Sequence, residues 1–268
     1  HLIDVADFSR DEFESVLDTA ESMRQVLDRP ISRVPTLRGK SIVNVFFEAS
    51  TRTRVSFELA GKSLSADVVN MASSGSSVEK GESLVDTFHT IQALGADLVV
   101  LRHPRAGAPD LAARNLNCSV VNAGDGFRGH PSQALLDLFT VQRHAGDIEG
   151  LKVVIVGDVL HSRVARSDVW AFARMGAQVY LSGPPTLLPR RFSEMLNSDA
   201  VVRIEHDLDR AIDGADVVMA LRIQKERMAS GMLPDLREYS RRWGITESRL
   251  ARADRRALLM HPGPMNQG

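Results

Sequence analysis

Short, uninterrupted apolar runs alternate along this chain with segments of helical periodicity, and that alternation constrains the fold more than any other feature. SIVNVFF (41–47), ADLVVLR (96–102), LKVVIVGD (151–158) and ADVVMALR (215–222) are dense in Val, Ile and Leu and lack strict polar alternation. Strands of this kind are buried on both faces, as in a parallel sheet covered by its own crossover helices. SADVVNM (65–71), SVVNAGDG (119–126) and AQVYLSGP (177–184) are further strand candidates. TRTRVSFELAGKSL (51–64), ESLVDTFHTIQALG (82–95), HPSQALLDLFTVQRHAG (130–146) and RSDVWAFARMG (166–176) read as helices between them.

The pattern restarts after residue 146, so the expected architecture is α/β with two doubly wound, mostly parallel domains joined by a helix. Residues 1–131 form the first domain, 132–148 the connecting helix and 149–268 the second domain. A first helix is marked near the amino terminus. Ser9 and Glu12 have capping-box spacing, and Phe8 and Phe13 have the spacing of a hydrophobic staple. Phe13, Val16, Leu17, Ala20 and Leu27 then recur on one face.

Charge excludes some function classes. With 33 Lys and Arg against 34 Asp and Glu, the net charge is −1, so no global basic field draws in nucleic acid. Any arginine cluster is a local device. No apolar stretch has spanning length and no signal-peptide pattern opens the chain, which argues against membrane insertion and secretion. The single cysteine, Cys118, lies in the apolar CSVVNAG and reads as a buried structural thiol. One cysteine suits the reducing cytosol, and the expected location is cytoplasmic. The chain opens on His1 rather than methionine, so a few leading residues are expected before it.

One strand-to-helix turn is unusually rich in donors. FFEASTRTRVSFE (46–58) places Ser50, Thr51, Arg52, Thr53 and Arg54 between the apolar strand and the helix after it. A helix start carries unpaired N–H groups and the positive end of the macrodipole, which makes it an anion site. Hydroxyls from Ser50, Thr51 and Thr53 and the Arg52 guanidinium suit that site to phosphate. The simpler alternative is that Ser50 only caps the helix while Arg52 and Arg54 are solvated. Arg54 reads as structural, with Glu48 or Glu58 as salt-bridge partner for one of the arginines.

The second half invites a dinucleotide reading that its residues do not support. The turn after VVIVGD offers Gly157 but no G-x-G-x-x-G, and Arg163 stands where close backbone approach would need glycine. No cofactor and no metal are expected.

FFEASTRTRVSFE resembles the carbamoyl-phosphate motif of the aspartate and ornithine carbamoyltransferases. SSVEKGESLVDT, LRHP, NAGDGFRGHPSQALLDLFT, VGDVLHSRVARS, LRIQKER and HPGP follow in family order, so the resemblance runs through nearly the whole chain. It implies transfer of a carbamoyl group from carbamoyl phosphate to an amine, in a crevice between a carbamoyl-phosphate-binding domain and an amino-acid-binding domain. Ser50, Thr51, Arg52 and Thr53 then hold the phosphate, and Arg102 reaches both phosphate and carbonyl. His130 and Gln133 face the carbamoyl group; three residues apart at a helix start, they project from neighbouring positions. Read without the family, His130 is equally a helix-terminal residue with a satisfied contact. The resemblance also places the backbone of Pro262, Gly263 and Pro264 on the carbamoyl group.

The chemistry so implied needs no covalent enzyme intermediate. Thr53, Arg102 and His130 donate to the oxyanion that grows as the amine attacks, and Arg52 stabilises the departing phosphate. The general base is not legible, which leaves the departing phosphate as candidate proton acceptor. Ser76 and Lys80 lie in the Gly- and Ser-rich SGSSVEKGES, and composition alone makes this lysine solvated. In the family this loop reaches the neighbouring subunit's site, which implies a homotrimer with shared active sites. A regulatory chain or another enzyme of pyrimidine synthesis is left open as a partner.

The second substrate is read from the second half. Arg163 and Arg222 follow strand candidates, where arginine clamps a carboxylate bidentately, and Gln224 assists Arg222. Lys225 and Arg227 read as solvated. The ornithine branch carries HCLP and an SMG loop; this chain has HPGP, with Pro262 in place of that cysteine, and no SMG. Both features point to L-aspartate. A carbamoyltransferase for another amino acid and a catalytically silent homologue are the rival readings. The chain stops at Gly268, before the helix with which family members return to the first domain.

Overall fold

Two separate parallel sheets account for the apolar runs. The computed structural model describes residues 1–72, 83–189, 202–224, 228, 232, 233 and 235–265. Their chain order is α1 (Arg10–Leu27), β1 (Ser41–Phe46), α2 (Thr51–Ser63), β2 (Asp67–Ala72), α3 (Leu84–Ala93), β3 (Leu98–His103), α4 (Ala108–Asn115), β4 (Ser119–Asp125) and α5 (Pro131–Ala145). There follow β5 (Lys152–Val156), α6 (Arg163–Arg174), β6 (Gln178–Ser182), β7 (Val202–Ile204), α7 (Leu208–Ile212), β8 (Val217–Ala220), α8 (Leu236–Trp243), α9 (Glu247–Leu250) and β9 (Leu258–Met260). The first unit comprises 1–5 and 15–132, and the second 6–14 and 133–268.

In the first unit the strand order is β2-β1-β3-β4, all parallel. Side chains alternate between faces along each strand. Val43, Val45, Val99 and Leu101 therefore pack with Phe88 and Ile91 of α3 and with Ala108 and Ala112 of α4. Ile42, Phe46 and Val100 turn to the other face, against Phe57 of α2. Asn44 is buried on β1 and donates to Asn70 Oδ1 at 2.9 Å, which gives its amide nitrogen a partner among apolar neighbours. The chain leaves β1 for β2 on one side and returns to β3 on the other. Its topological switch point lies between β1 and β3, where ligands bind in open α/β sheets.

In the second unit the order is β7-β6-β5-β8-β9, again all parallel. Val154, Val156 and Val218 pack on Leu208, Ala211 and Ile212 of α7. The switch point here lies between β5 and β8. The start of α1 also belongs to this unit. Ser9 N–H donates to Glu12 Oε2 at 2.7 Å, Glu12 N–H to Ser9 Oγ at 3.2 Å, and the Phe8 and Phe13 rings lie 5.2 Å apart. The capping box and staple are thus as expected. No helix among the described residues is long and apolar enough to cross a membrane.

Candidate active site

The donor-rich turn sits at the first switch point. Ser50 is the residue before α2, in extended conformation, and its side chain makes no capping hydrogen bond. The simplest alternative for Ser50, a helix cap, is therefore not realised. Thr51 and Arg52 are exposed in the first turn and Thr53 is half-buried. Register places Phe46 of β1 beside Arg102 of β3, so the arginine stands one strand over from the turn. Arg102 is buried. One terminal nitrogen donates to Thr53 Oγ1 at 3.4 Å and to the Ala123 carbonyl at 3.3 Å, and the other pairs with Glu48 Oε1 at 2.7 Å.

This geometry brings Thr53 and Arg102 together. Glu48 pairs with Arg102 at 2.7 Å, its carboxylate turned toward the end of β3. The Glu58 carboxyl is lowered from its ordinary value, first by its hydrogen bonds from Lys62 and Asn70, with the Arg54 charge a lesser cause.

His130 immediately precedes α5 and is buried, with Nδ1 3.3 Å from Ser132 Oγ. The loop ahead of it is pinned on several sides. The Asp125 N–H donates to the Gly129 carbonyl at 3.0 Å, and Arg128 N–H to the Asp125 carbonyl at 2.8 Å. The buried Asp125 carboxylate accepts from Gly107 N–H at 2.9 Å, and the Arg128 side chain reaches Asp110 and Asp4. At Gly126 (φ +49) a Cβ would stand 2.7 Å from the Ala106 nitrogen, so only glycine fits.

The second switch point carries the second half-site. Ser162 caps α6, accepting from Ala165 N–H at 3.1 Å, and Arg163 is the first helical residue and buried. Arg222 and Gln224 follow the end of β8. Between these segments lies Asp158, fully buried. It accepts from His161 Nδ1 at 2.8 Å, from His161 N–H at 3.2 Å and from Gln224 N–H at 3.2 Å, while Gln224 Nε2 donates to the His161 carbonyl at 3.1 Å. Gln224 thus ties the two strand exits together, a task not read from its sequence. Burial, and next the Asp158 charge, push the Tyr239 hydroxyl up to about 12, so it stays protonated. One strand further, Pro262, Gly263 and Pro264 follow β9, and Gly263 N–H donates to His261 Nδ1 at 2.7 Å.

Residues 1–143 match the carbamoyl-P binding domain of aspartate/ornithine carbamoyltransferases, and 149–268 match their Asp/Orn binding domain. The chain belongs to the aspartate/ornithine carbamoyltransferase family. It is 62% identical to the aspartate carbamoyltransferase catalytic subunit of Roseiflexus sp. (strain RS-1), over 100% of this chain and 84% of that protein. Identity to the Chloroflexus aggregans catalytic subunit is 60%, over 100% and 87%. The Trypanosoma cruzi aspartate transcarbamoylase solved with carbamoyl aspartate and phosphate superposes with a TM-score of 0.90 at 30% identity, covering 99% of this chain and 85% of that one. The catalytic subunit of M. Jannaschii aspartate transcarbamoylase gives a TM-score of 0.85 at 38% identity, covering 99% of this chain and 86% of that one.

Within that family frame, Ser50, Thr51, Arg52, Thr53 and Arg102 gather at one switch point, and Arg163, Arg222 and Gln224 flank the other. Ser76, Lys80, Lys225 and Arg227 lie outside the described residues. Asp125, Arg128, Asp158 and His161 were not singled out from sequence. The only signal for the two aspartates was their position at strand ends, in NAGDG and VGD.

Proposed function

We propose that this chain transfers the carbamoyl group of carbamoyl phosphate to the α-amino group of L-aspartate, giving N-carbamoyl-L-aspartate and phosphate. The observation that carries the reading is the buried Arg102 hydrogen-bonded to Thr53 at the first switch point. It sets a fixed cation and a hydroxyl beside a helix start, where a phosphate and its carbonyl neighbour need donors. The names of the relatives support the same reaction. Further structures of the Trypanosoma enzyme hold carbamoyl phosphate with aspartate, and aspartate with phosphate.

In this reading Ser50, Thr51, Arg52 and Thr53 bind the phosphate of carbamoyl phosphate. Thr53, Arg102 and His130 donate to the carbonyl oxygen as the amine adds and charge grows. Arg52 stabilises the phosphate as it leaves. Pro262, Gly263 and Pro264 offer backbone groups to the carbamoyl amide, and Gln133 offers its side chain. Arg163 and Arg222 clamp the aspartate carboxylates. Holding both substrates in place removes much of the entropic barrier. Ser76 and Lys80 complete the site of a neighbouring subunit in a homotrimer, and the word subunit in the relatives' names supports assembly with further chains. The reaction is placed in pyrimidine synthesis in the cytoplasm, with 1–131 the carbamoyl-phosphate domain and 149–268 the aspartate domain.

The test is a colorimetric assay of ureido product with carbamoyl phosphate and either aspartate or ornithine. Product with aspartate alone is expected. Product with ornithine alone overturns the roles of Arg163 and Arg222, and no product with either overturns the enzyme.

A further inference from the structure

Two carboxyl groups in the second unit meet, with no cation acting on either among the described residues. Asp137, in the second turn of α5, is 5% exposed, and Asp168, in the middle of α6, is 0% exposed. Neither oxygen of Asp168 has a hydrogen-bond donor from a neutral or cationic group among the described residues. The Asp137 carboxyl stands against it, close enough for the two groups to interact directly. Two carboxylates offer only acceptors, so that contact becomes a bond only when one of them carries a proton. An isolated buried charge pair of like sign is not sustainable, and such sites share a proton instead.

The other oxygen-facing group decides where the proton resides. Gln133, one turn before Asp137 on α5, donates Nε2 to Asp137 Oδ1 and Oδ2 at 3.2 and 3.3 Å. Asp137 thus already has a donor that favours its charged form, and Asp168 has none. With the proton on Asp168, its O–H donates to Asp137, and Asp137 accepts from both sides. No oxygen then faces another oxygen unprotonated. The assignment also fixes Gln133: an ionised Asp137 tolerates only the amide nitrogen, so Oε1 turns away from it.

We propose that Asp137 and Asp168 share one proton, held on Asp168, and that the resulting Asp137 carboxylate locks the Gln133 amide with Oε1 presented to the carbamoyl –NH2. Both aspartates are positioning residues, acting on substrate through Gln133. The step from amide to substrate rests on the carbamoyltransferase reading; the shared proton does not.

Burial raises Asp137 to about 7 and, with the Asp137 charge second, holds Asp168 well above the carboxylate range. From α5 only Asp137 acts on Asp168, and from α6 only Asp168 acts on Asp137, among the described titratable groups. Above neutral pH the single-proton state is therefore populated. As pH falls below about 7, Asp137 gains a proton whose O–H competes for Gln133 Oε1.

The experiment follows KM for carbamoyl phosphate between pH 6 and 9 in wild type, Asp168→Asn and Asp137→Asn, with aspartate saturating. Asp168→Asn keeps a donor toward Asp137 but replaces the shared proton with a fixed N–H, which favours the charged form of Asp137. It is expected to bind as wild type at pH 8 and to shift the acid-side rise in KM to lower pH. Asp137→Asn presents an N–H to Gln133, reverses the amide, and is expected to raise KM about fivefold to tenfold at every pH, the loss of roughly one hydrogen bond. The aspartate KM is expected to stay unchanged in both. A second readout needs no substrate. The folded-state affinity for protons is raised, so the contribution of the pair to stability is full below the unfolded carboxylate range, near 4, and declines as pH rises through about 7. The fall of Tm between pH 5 and 8 is expected to flatten in either variant. Unchanged Tm slopes in both overturn the shared proton. Flattened slopes with unchanged KM profiles overturn the role of Gln133, whether or not ornithine or aspartate is the acceptor.

Discussion

At the scale of single residues, the first half-site rests on a part-buried ion pair. Arg102 and Glu48 meet at 2.7 Å with side chains 11% and 22% exposed. A charge this sheltered needs a counter-charge, and removing one partner leaves the other uncompensated. An incoming phosphate brings the same negative charge that Glu48 supplies. Glu48→Gln is therefore expected to lower stability by about 1–3 kcal/mol in the absence of anions. The deficit is expected to shrink when phosphate is added, because phosphate then supplies the missing charge. Differential scanning fluorimetry with and without inorganic phosphate reads both effects. Equal phosphate-induced Tm shifts in wild type and variant would show that Arg102 does not meet the anion.

At the scale of elements, the second half-site depends on how closely β5, β6 and β8 end together. Gly157 closes β5 at φ +123, and a Cβ there would stand 2.7 Å from the Leu221 carbonyl and 3.0 Å from the Tyr239 hydroxyl. A Cβ at Gly183 would meet the Gly157 carbonyl at 2.6 Å. Gly157→Ala adds backbone strain of about 1–3 kcal/mol and pushes apart the segments that Asp158 joins. A lower urea midpoint and a raised aspartate KM are expected, with KM for carbamoyl phosphate little changed; an unchanged midpoint refutes the close packing. The longer elements were legible because apolar runs and helical periodicity are local properties. α4 escaped because it is eight residues long, follows Gly107 and carries Pro109 in its first turn, so no apolar period accumulates. β7 and β9, three residues each, are too short for a pattern. The phosphate turn was legible because its donors are consecutive. The carboxylates that organise the two half-sites were not, because register and crossover bring Glu48 to Arg102, Asp158 to Gln224 and Asp137 to Asp168.

At the scale of the whole molecule, the proposed reading makes one subunit an incomplete catalyst. Arg102 would act within its own chain, whereas Lys80 would act in the neighbour's site. Truncating either is expected to leave homo-oligomers with little activity, since loss of one oxyanion donor alone commonly costs about 10²–10³ in kcat. The two defects should nevertheless complement. In a mixed trimer, a Lys80→Ala chain contributes an intact Arg102, and an Arg102→Ala neighbour contributes an intact Lys80 loop, so that one site carries neither substitution. Random mixing at equal amounts gives such a site for about a quarter of all cyclic neighbour pairs. Co-expression of the two variants with different tags, followed by tandem purification, isolates the mixed assemblies. Their activity is expected to far exceed that of either parent, with normal KM values at the restored sites. Purified hybrids as inactive as their parents would return Lys80 to its own chain's site and remove the reason for a trimer.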